Sequence, residues 1–232
     1  MKKILSLLLV LVLLLSLVGC PAPDDGGDPA EEAGYTFTRD EAGRYICTET
    51  GVTYRLSTSV YLPTEISELA YGTYTHTNGA VFAYYKIRNA EPAEYLAHAD
   101  SEDLFPYGIL YSGERMPTLE EMGVEDILIC DAEAEFFFRE AYILDRVGSA
   151  TVVHDAVHSY AMAAPMSTPP TAKQTLRVEL IFLSKDLPFH YNLAYVQYED
   201  GTAAFYDAGK LAYFPAPYDL FDGYALSADA NS

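Results

Sequence analysis

The chain has no tryptophan, only three cysteines in 232 residues, and 14 Lys and Arg against 34 Asp and Glu. The shortage of positive charge excludes one class of partner. A formal charge of −20 repels nucleic-acid phosphates and anionic lipid head groups, so no nucleic-acid partner is expected. Three cysteines without framework spacing exclude a disulfide-stapled scaffold, and the lack of C-x-x-C removes thioredoxin-type redox chemistry. There is no G-x-S-x-G elbow, S-x-x-K pair, P-loop or G-x-G-x-x-G, so the usual serine-hydrolase and nucleotide-binding signals are missing. No acidic run has the spacing of an EF-hand loop. After the first twenty residues no apolar run is long enough to cross a bilayer.

What is present begins at the N-terminus. Met1-Lys2-Lys3 is a short cationic head, and Ile4 to Val18 is aliphatic apart from Ser6 and Ser16. A charged n-region, an apolar h-region and a small residue ahead of a cut make a secretory signal, and at about 15 residues the h-region is short for a membrane span. Leu17-Val18-Gly19-Cys20 resembles the lipobox of bacterial lipoproteins. That resemblance covers residues 1–20 only. It implies that residues 1–19 are removed and that Cys20 carries the acyl chains, palmitate among them. The partner so implied is the lipid bilayer, and the place is the extracytoplasmic face of the cell membrane. Two or three acyl chains anchor firmly at about 0.8 kcal/mol per CH₂, where one holds only marginally. Without Lys2 and Lys3 the formal charge becomes −22, so the chains rather than a basic patch must hold the protein to the membrane.

Residues 20–34 are the acylated cysteine and an acidic, Pro- and Gly-bearing tether with no large apolar side chain, which reads as disordered. Residues 35–226 read as a single domain of roughly 190 residues, enough for a sizeable core. Residues 227–232 are a polar tail. Alternation over 35–38, 44–48 and 52–56, punctuated by turn residues, predicts a β-meander with one face in water. Residues 57–69 read as a loop. Thr77-Asn78-Gly79 between 71–76 and 80–87 predicts a hairpin, because Asn and Gly tolerate positive φ. Asn89 to Pro92 looks like a helix entry leading to a short helix at 93–98. Thr118 and Glu121 fit a capping box that opens one turn. Asp126 to Cys130 reads as a buried strand, and part of 132–145, where helix and strand signals conflict, is assigned to strand. Val153, Ala156, Val157 and Tyr160 stand at helical spacing and predict a helix over 149–162. Strands follow at 176–183, 190–198, 202–206 and 210–214. The expected class is α+β: mainly antiparallel sheet in meanders and hairpins, one clear helix and short helices.

Three sets of residues carry chemical hints. His154-Asp155-Ala156-Val157-His158 places two imidazoles one helical turn apart and resembles the HExxH motif of the zincins, but with Asp155 in place of Glu. It makes His154 and His158 the metal-ligand candidates, and a zinc-dependent hydrolase the alternative function. The helical wheel puts both histidines on the solvent flank, where histidines on an acidic protein are ordinary. Tyr84, Tyr85 and Tyr195 are the ligand-binding candidates, since Tyr rows on a sheet offer flat amphipathic rings to a peptide or glycan. Successive strand residues point to opposite faces, so one of Tyr84 and Tyr85 is expected outside. Cys47 and Cys130, both in expected strands, are weighed as a disulfide against two buried thiols. No catalytic residue is assigned and no cofactor is expected, with zinc, or calcium bound by loops, as the exceptions. The favoured reading is a membrane-tethered lipoprotein with a binding domain for a protein, peptide or glycan; a structural envelope component is a further alternative.

Overall fold

The computed structural model describes residues 34–58, 60–100, 106–132 and 142–227. The chain is α+β and mostly β. Strands β1 (Tyr35–Arg39), β2 (Tyr45–Cys47) and β3 (Thr53–Leu56) form the expected meander. β4 (Tyr61–Pro63) leaves it and joins a second sheet. β5 (Ile66–Thr75), β6 (Val81–Ile87), β7 (Tyr95–Asp100) and β8 (Pro106–Tyr111) return to the meander and close a seven-stranded barrel, order β1-β2-β3-β8-β7-β6-β5. The last joint is parallel, with Tyr35 opposite Gly72 and Phe37 opposite Tyr74. That joint needs Gly72: a Cβ there would lie 2.5 Å from the Tyr35 carbonyl oxygen and 2.6 Å from the Phe37 ring.

The second sheet is built from β9 (Val124–Asp131), β10 (Ile143–Val147), β11 (Gln174–Ser184), β12 (Phe189–Tyr198), β13 (Ala203–Asp207) and β14 (Ala212–Ala216). Its order is β10-β9-β11-β12-β13-β14, with β4 on β12. Helix α1 (Ala150–Met162) lies against β9 and β14. It buries Val153, Ala156 and Tyr160, three of the four stripe positions, and leaves Val157 half-buried.

The barrel interior is aromatic: Phe37, Tyr45, Tyr54 and Tyr84 pack with Leu96 and Leu110. The ring centroids of Phe37 and Tyr84 are 4.6 Å apart, an edge-on contact worth about 0.5–1.5 kcal/mol beyond its buried area. Over the middle of β6–β8 the barrel's outward side chains are buried. Ala83, Tyr85, Ile87, Ala97, Ala99 and Ile109 share one core cluster with Ile127, Ile129, Leu180 and Phe182 of the second sheet. Three alanines among these outward positions let the sheet approach closely.

This layering corrects several expectations. Both faces of β6 are buried over Ala83–Tyr85, so Tyr84 points into the barrel and Tyr85 into the layer between barrel and sheet; they are 0% and 4% exposed. Tyr195 is fully buried as well, its hydroxyl donating to the carbonyls of Pro217 and Tyr218 at 2.9 and 2.8 Å. The three tyrosines are core residues and form no ligand-facing row. Cys47 and Cys130 are free thiols in different clusters: Cys47 faces the barrel interior, and Cys130 lies on the second sheet with Leu128 and Ile181. Burial pushes the Cys130 thiol up to about 11, with the Glu179 carboxylate adding to the shift. Residues 95–100 are strand rather than helix, because β7 pairs on both edges, with β6 and β8, and that ladder outweighs local helix propensity. Within 57–69 the structure adds β4 and the start of β5. The Asn-Gly hairpin forms, with Gly79 at φ 89° and the Asn78 side-chain oxygen accepting from the Ala80 amide at 3.0 Å. In 132–145 the part at 143–145 is strand; 133–141 lie outside the described residues, as do Cys20, the leader and the tether. Among the described residues no helix is long and apolar enough to cross a membrane.

Two predictions arise from the packing. Gly72→Ala forces the β1–β5 joint apart and should lower unfolding stability in urea by about 1–3 kcal/mol; an unchanged midpoint would show that the closure is dispensable. His190, on β12, is buried, and desolvation holds its imidazole down to about 4 against an ordinary 6.5. Between those values the unfolded chain binds the extra proton, so stability is fully present above pH 6.5 and is lost as pH falls towards 4. Wild type should lose on the order of 3 kcal/mol more than His190→Gln across that interval, read by urea titrations at each pH.

Candidate functional site

The polar centre of the molecule is a buried carboxylate. Along one edge of β12, β4 pairs with Phe189–Tyr191 and β13 pairs with Ala194–Gln197, so the ladder changes partner between them. Asp207, the last residue of β13, sits over this junction and is fully buried. An unpaired carboxylate there would be costly. Its Oδ2 accepts hydrogen bonds from the hydroxyls of Tyr191, at 2.9 Å, and Tyr160, and its Oδ1 accepts from the Lys210 amide at 3.0 Å. The Lys210 ammonium stands 3.5 Å from Oδ2 and donates to the Tyr160 hydroxyl at 2.7 Å. The two hydroxyls are 3.0 Å apart. Burial and the neighbouring carboxylate push both phenols well above the ordinary tyrosine range, so they are hydrogen-bond donors and not bases.

The members come from a helix, two strands and a turn. Tyr160 is on the last turn of α1, Tyr191 is on β12, and Asp207 and Lys210 flank the β13–β14 turn. The turn is seated by Gly209, whose Cβ, if present, would be 2.8 Å from the Thr58 side chain. Leu211, next in the turn, has φ 51° and is 81% exposed. A left-handed Leu costs about 1–2 kcal/mol, and such strain collects at functional sites. The Lys210 ammonium is 4.8 Å from the Tyr160 ring centroid and 5.2 Å from that of Phe214. These contacts hold it at the mouth of a cavity of about 390 Å³, whose walls include Tyr61, Thr118, Leu119 and Glu120. Tyr61 is half-buried, is fixed by a 2.7 Å hydrogen bond from its hydroxyl to the Pro117 carbonyl, and has its own phenol pushed up to about 12 by burial. An apolar wall with a few convergent polar groups is what a small-molecule site requires.

The histidines occupy a neighbouring place. His154 and His158 are exposed on α1, as the helical wheel requires, with rings stacked at 5.6 Å and 13°. His154 Nδ1 lies 3.3 Å from the Asp155 carboxylate, and both imidazoles line a second cavity of about 540 Å³ with Glu120 and Glu125. Asp155 therefore contacts the preceding histidine, unlike a base held over a metal-bound water. Glu179, the next carboxylate along the chain after His158, is buried on β11 and paired with Arg177 at 3.0 Å. Among the described residues no group of three or more His, Cys, Asp or Glu is placed to hold a metal ion. The segment facing both cavities is rigid: Arg115 grips Glu121 at 2.5 and 2.6 Å, and Glu121 accepts from the Thr118 amide at 2.8 Å, as the capping box implies. The Arg115 hydrogen bonds hold the Glu121 carboxyl down to about 2.

Sequence reasoning did not single out Asp207, Lys210 or Tyr61. Tyr160 figured only as a core-facing helix residue, and Tyr191 only as one of many strand tyrosines. Asp-Ala-Gly-Lys reads as an ordinary turn, and nothing local marks its aspartate as buried. No family model, curated protein or solved structure matches the chain.

Substitutions separate the structural from the open part of this network. Asp207→Ala leaves two buried hydroxyls without their acceptor and should cost about 3 kcal/mol, and Tyr160→Phe about 1 kcal/mol. Lys210→Met should cost less than about 1 kcal/mol, because the lysine side chain is 56% exposed. Urea unfolding of the three variants checks the order; equal losses for Asp207→Ala and Lys210→Met would contradict it.

Proposed function

We propose that the chain is an extracytoplasmic lipoprotein, held to the cell membrane through acylated Cys20, and that its domain binds a small or extended ligand in the cavity at Tyr61 and Lys210. The observation that carries the binding reading is the buried Asp207 centre. A helix, two strands and a turn converge on it, and they leave one ammonium and one half-buried aromatic ring in the lining of a walled cavity. The phenols are locked as donors to the carboxylate, which favours recognition over proton transfer. The anchor rests on the leader of residues 1–20, with its cysteine directly after Leu17-Val18-Gly19. The acidic tether supports a domain held clear of an anionic surface.

Two measurements test the two halves. Cys20→Ser should move the protein from the membrane fraction to the soluble fraction and abolish incorporation of labelled palmitate; membrane retention without label would sink the anchor. The cavity is tested by ligand-observed NMR with a mixture of small hydroxyl-, amine- and carboxylate-bearing fragments. Fragments bound by wild type should lose binding about tenfold or more in Lys210→Met and Tyr61→Ala. Identical binding by all three proteins would remove this cavity as the site.

A further inference from the structure

Two cavities have been described separately, yet they share a wall. Leu119 and Glu120 line both. The first cavity runs along the N-terminal two-thirds of α1, past Val153, His154, Val157 and His158; the second takes in its last turns at Tyr160 and Ala161. At 1.5 Å per residue the 13 residues of α1 are about 20 Å long, and the two cavities follow one another along it. We propose that these cavities are two subsites of one groove, and that its ligand is an uncharged, hydroxyl-rich chain of several rings, an oligosaccharide. The proposal rests on the cavity at Tyr61 and Lys210 being a binding site.

Charge selects against ions. Lys210 lines one subsite, Glu125 the other and Glu120 both, so an anionic chain meets two glutamates and a cationic chain meets Lys210. A hydroxyl both donates and accepts: it accepts from the lysine ammonium and donates to the glutamate carboxylate. The flat groups lie where rings would stack. Tyr61 offers a half-buried ring in one subsite, and the paired imidazoles of His154 and His158 offer parallel faces in the other. Extended peptides gain affinity by adding a strand to an open ladder edge. The groove is instead walled along one side by helix α1, whose interior backbone groups are paired within the helix.

The experiment uses the purified full chain in detergent and isothermal titration with three tetrasaccharides, maltotetraose, cellotetraose and chitotetraose, alongside the matching disaccharides and tetra-alanine amide. At least one tetrasaccharide should bind, about tenfold or more tighter than its disaccharide. The double substitution His154→Ala, His158→Ala, at exposed positions, should erase that length advantage and leave disaccharide affinity within twofold of wild type, about 0.4 kcal/mol. Lys210→Met should weaken both lengths. No binding by any of the three sugars, equal affinity for both lengths, or binding of tetra-alanine amide in their place would overturn the proposal. Fragment binding that depends on Lys210 and Tyr61, found together with no length advantage, would leave the cavity as a binding site and remove only the groove and its sugar.

Discussion

The structure depends on the layer where the barrel's outward side chains meet the second sheet. Ala83, Ala97 and Ala99 bring the backbones close, and Tyr85, Ile109, Leu180 and Phe182 fill the space between. Burying a large aliphatic or aromatic side chain is worth about 1.5–3 kcal/mol, and this layer gathers many of them. Both faces of β6 over Ala83–Tyr85 and of β7 over Leu96–Ala99 are thereby withdrawn from water. A small barrel with an aromatic interior would otherwise present an apolar flank to solvent; here that flank is the floor of the molecule's main core.

The same layer explains where polar chemistry can sit. β12 must serve the sheet along one edge and share its other edge between β4 and β13. The change of partner opens a place that regular ladder bonds do not fill. Asp207 fills it with a carboxylate, which accepts hydrogen bonds from the hydroxyls of Tyr160 and Tyr191 and from the Lys210 amide, with the Lys210 ammonium 3.5 Å away. The network ties α1 to the sheet and holds Lys210 at the cavity mouth, so the group that stabilises the junction also shapes the opening. Leu211, strained and exposed at the same turn, is the local cost of bending the chain tightly enough to return Lys210 to its carboxylate.

The surface on the far side of α1 follows from its sequence period. Val153, Ala156 and Tyr160 face the core, so His154 and His158 must stand on the flank that borders the 118–125 segment. That segment is fixed by the Arg115–Glu121 pair, an exposed contact whose worth lies in geometry more than in stability. A rigid turn beside an exposed helix flank is how a groove arises without a dedicated binding loop.

Local pattern was enough for much of the fold. The meander of β1–β3, the Asn78-Gly79 hairpin, the run at Ile127–Cys130 and the helix at 150–162 follow from alternation, turn chemistry and helical spacing, which are properties of neighbouring residues. Tertiary structure decided what pattern could not hold. Whether the outer face of β6 meets water depends on a sheet that begins some 40 residues later in the chain, and this is why Tyr84 and Tyr85 both proved buried. Residues 95–100 became strand because two neighbours were waiting to pair with them. Asp207, Tyr160, Tyr191 and Lys210 span 50 residues and lie on a helix, two strands and a turn. A hydrogen-bonded centre of that kind has no local signature, because its members are chosen by what the folded backbone places within 3 Å and not by their spacing along the chain.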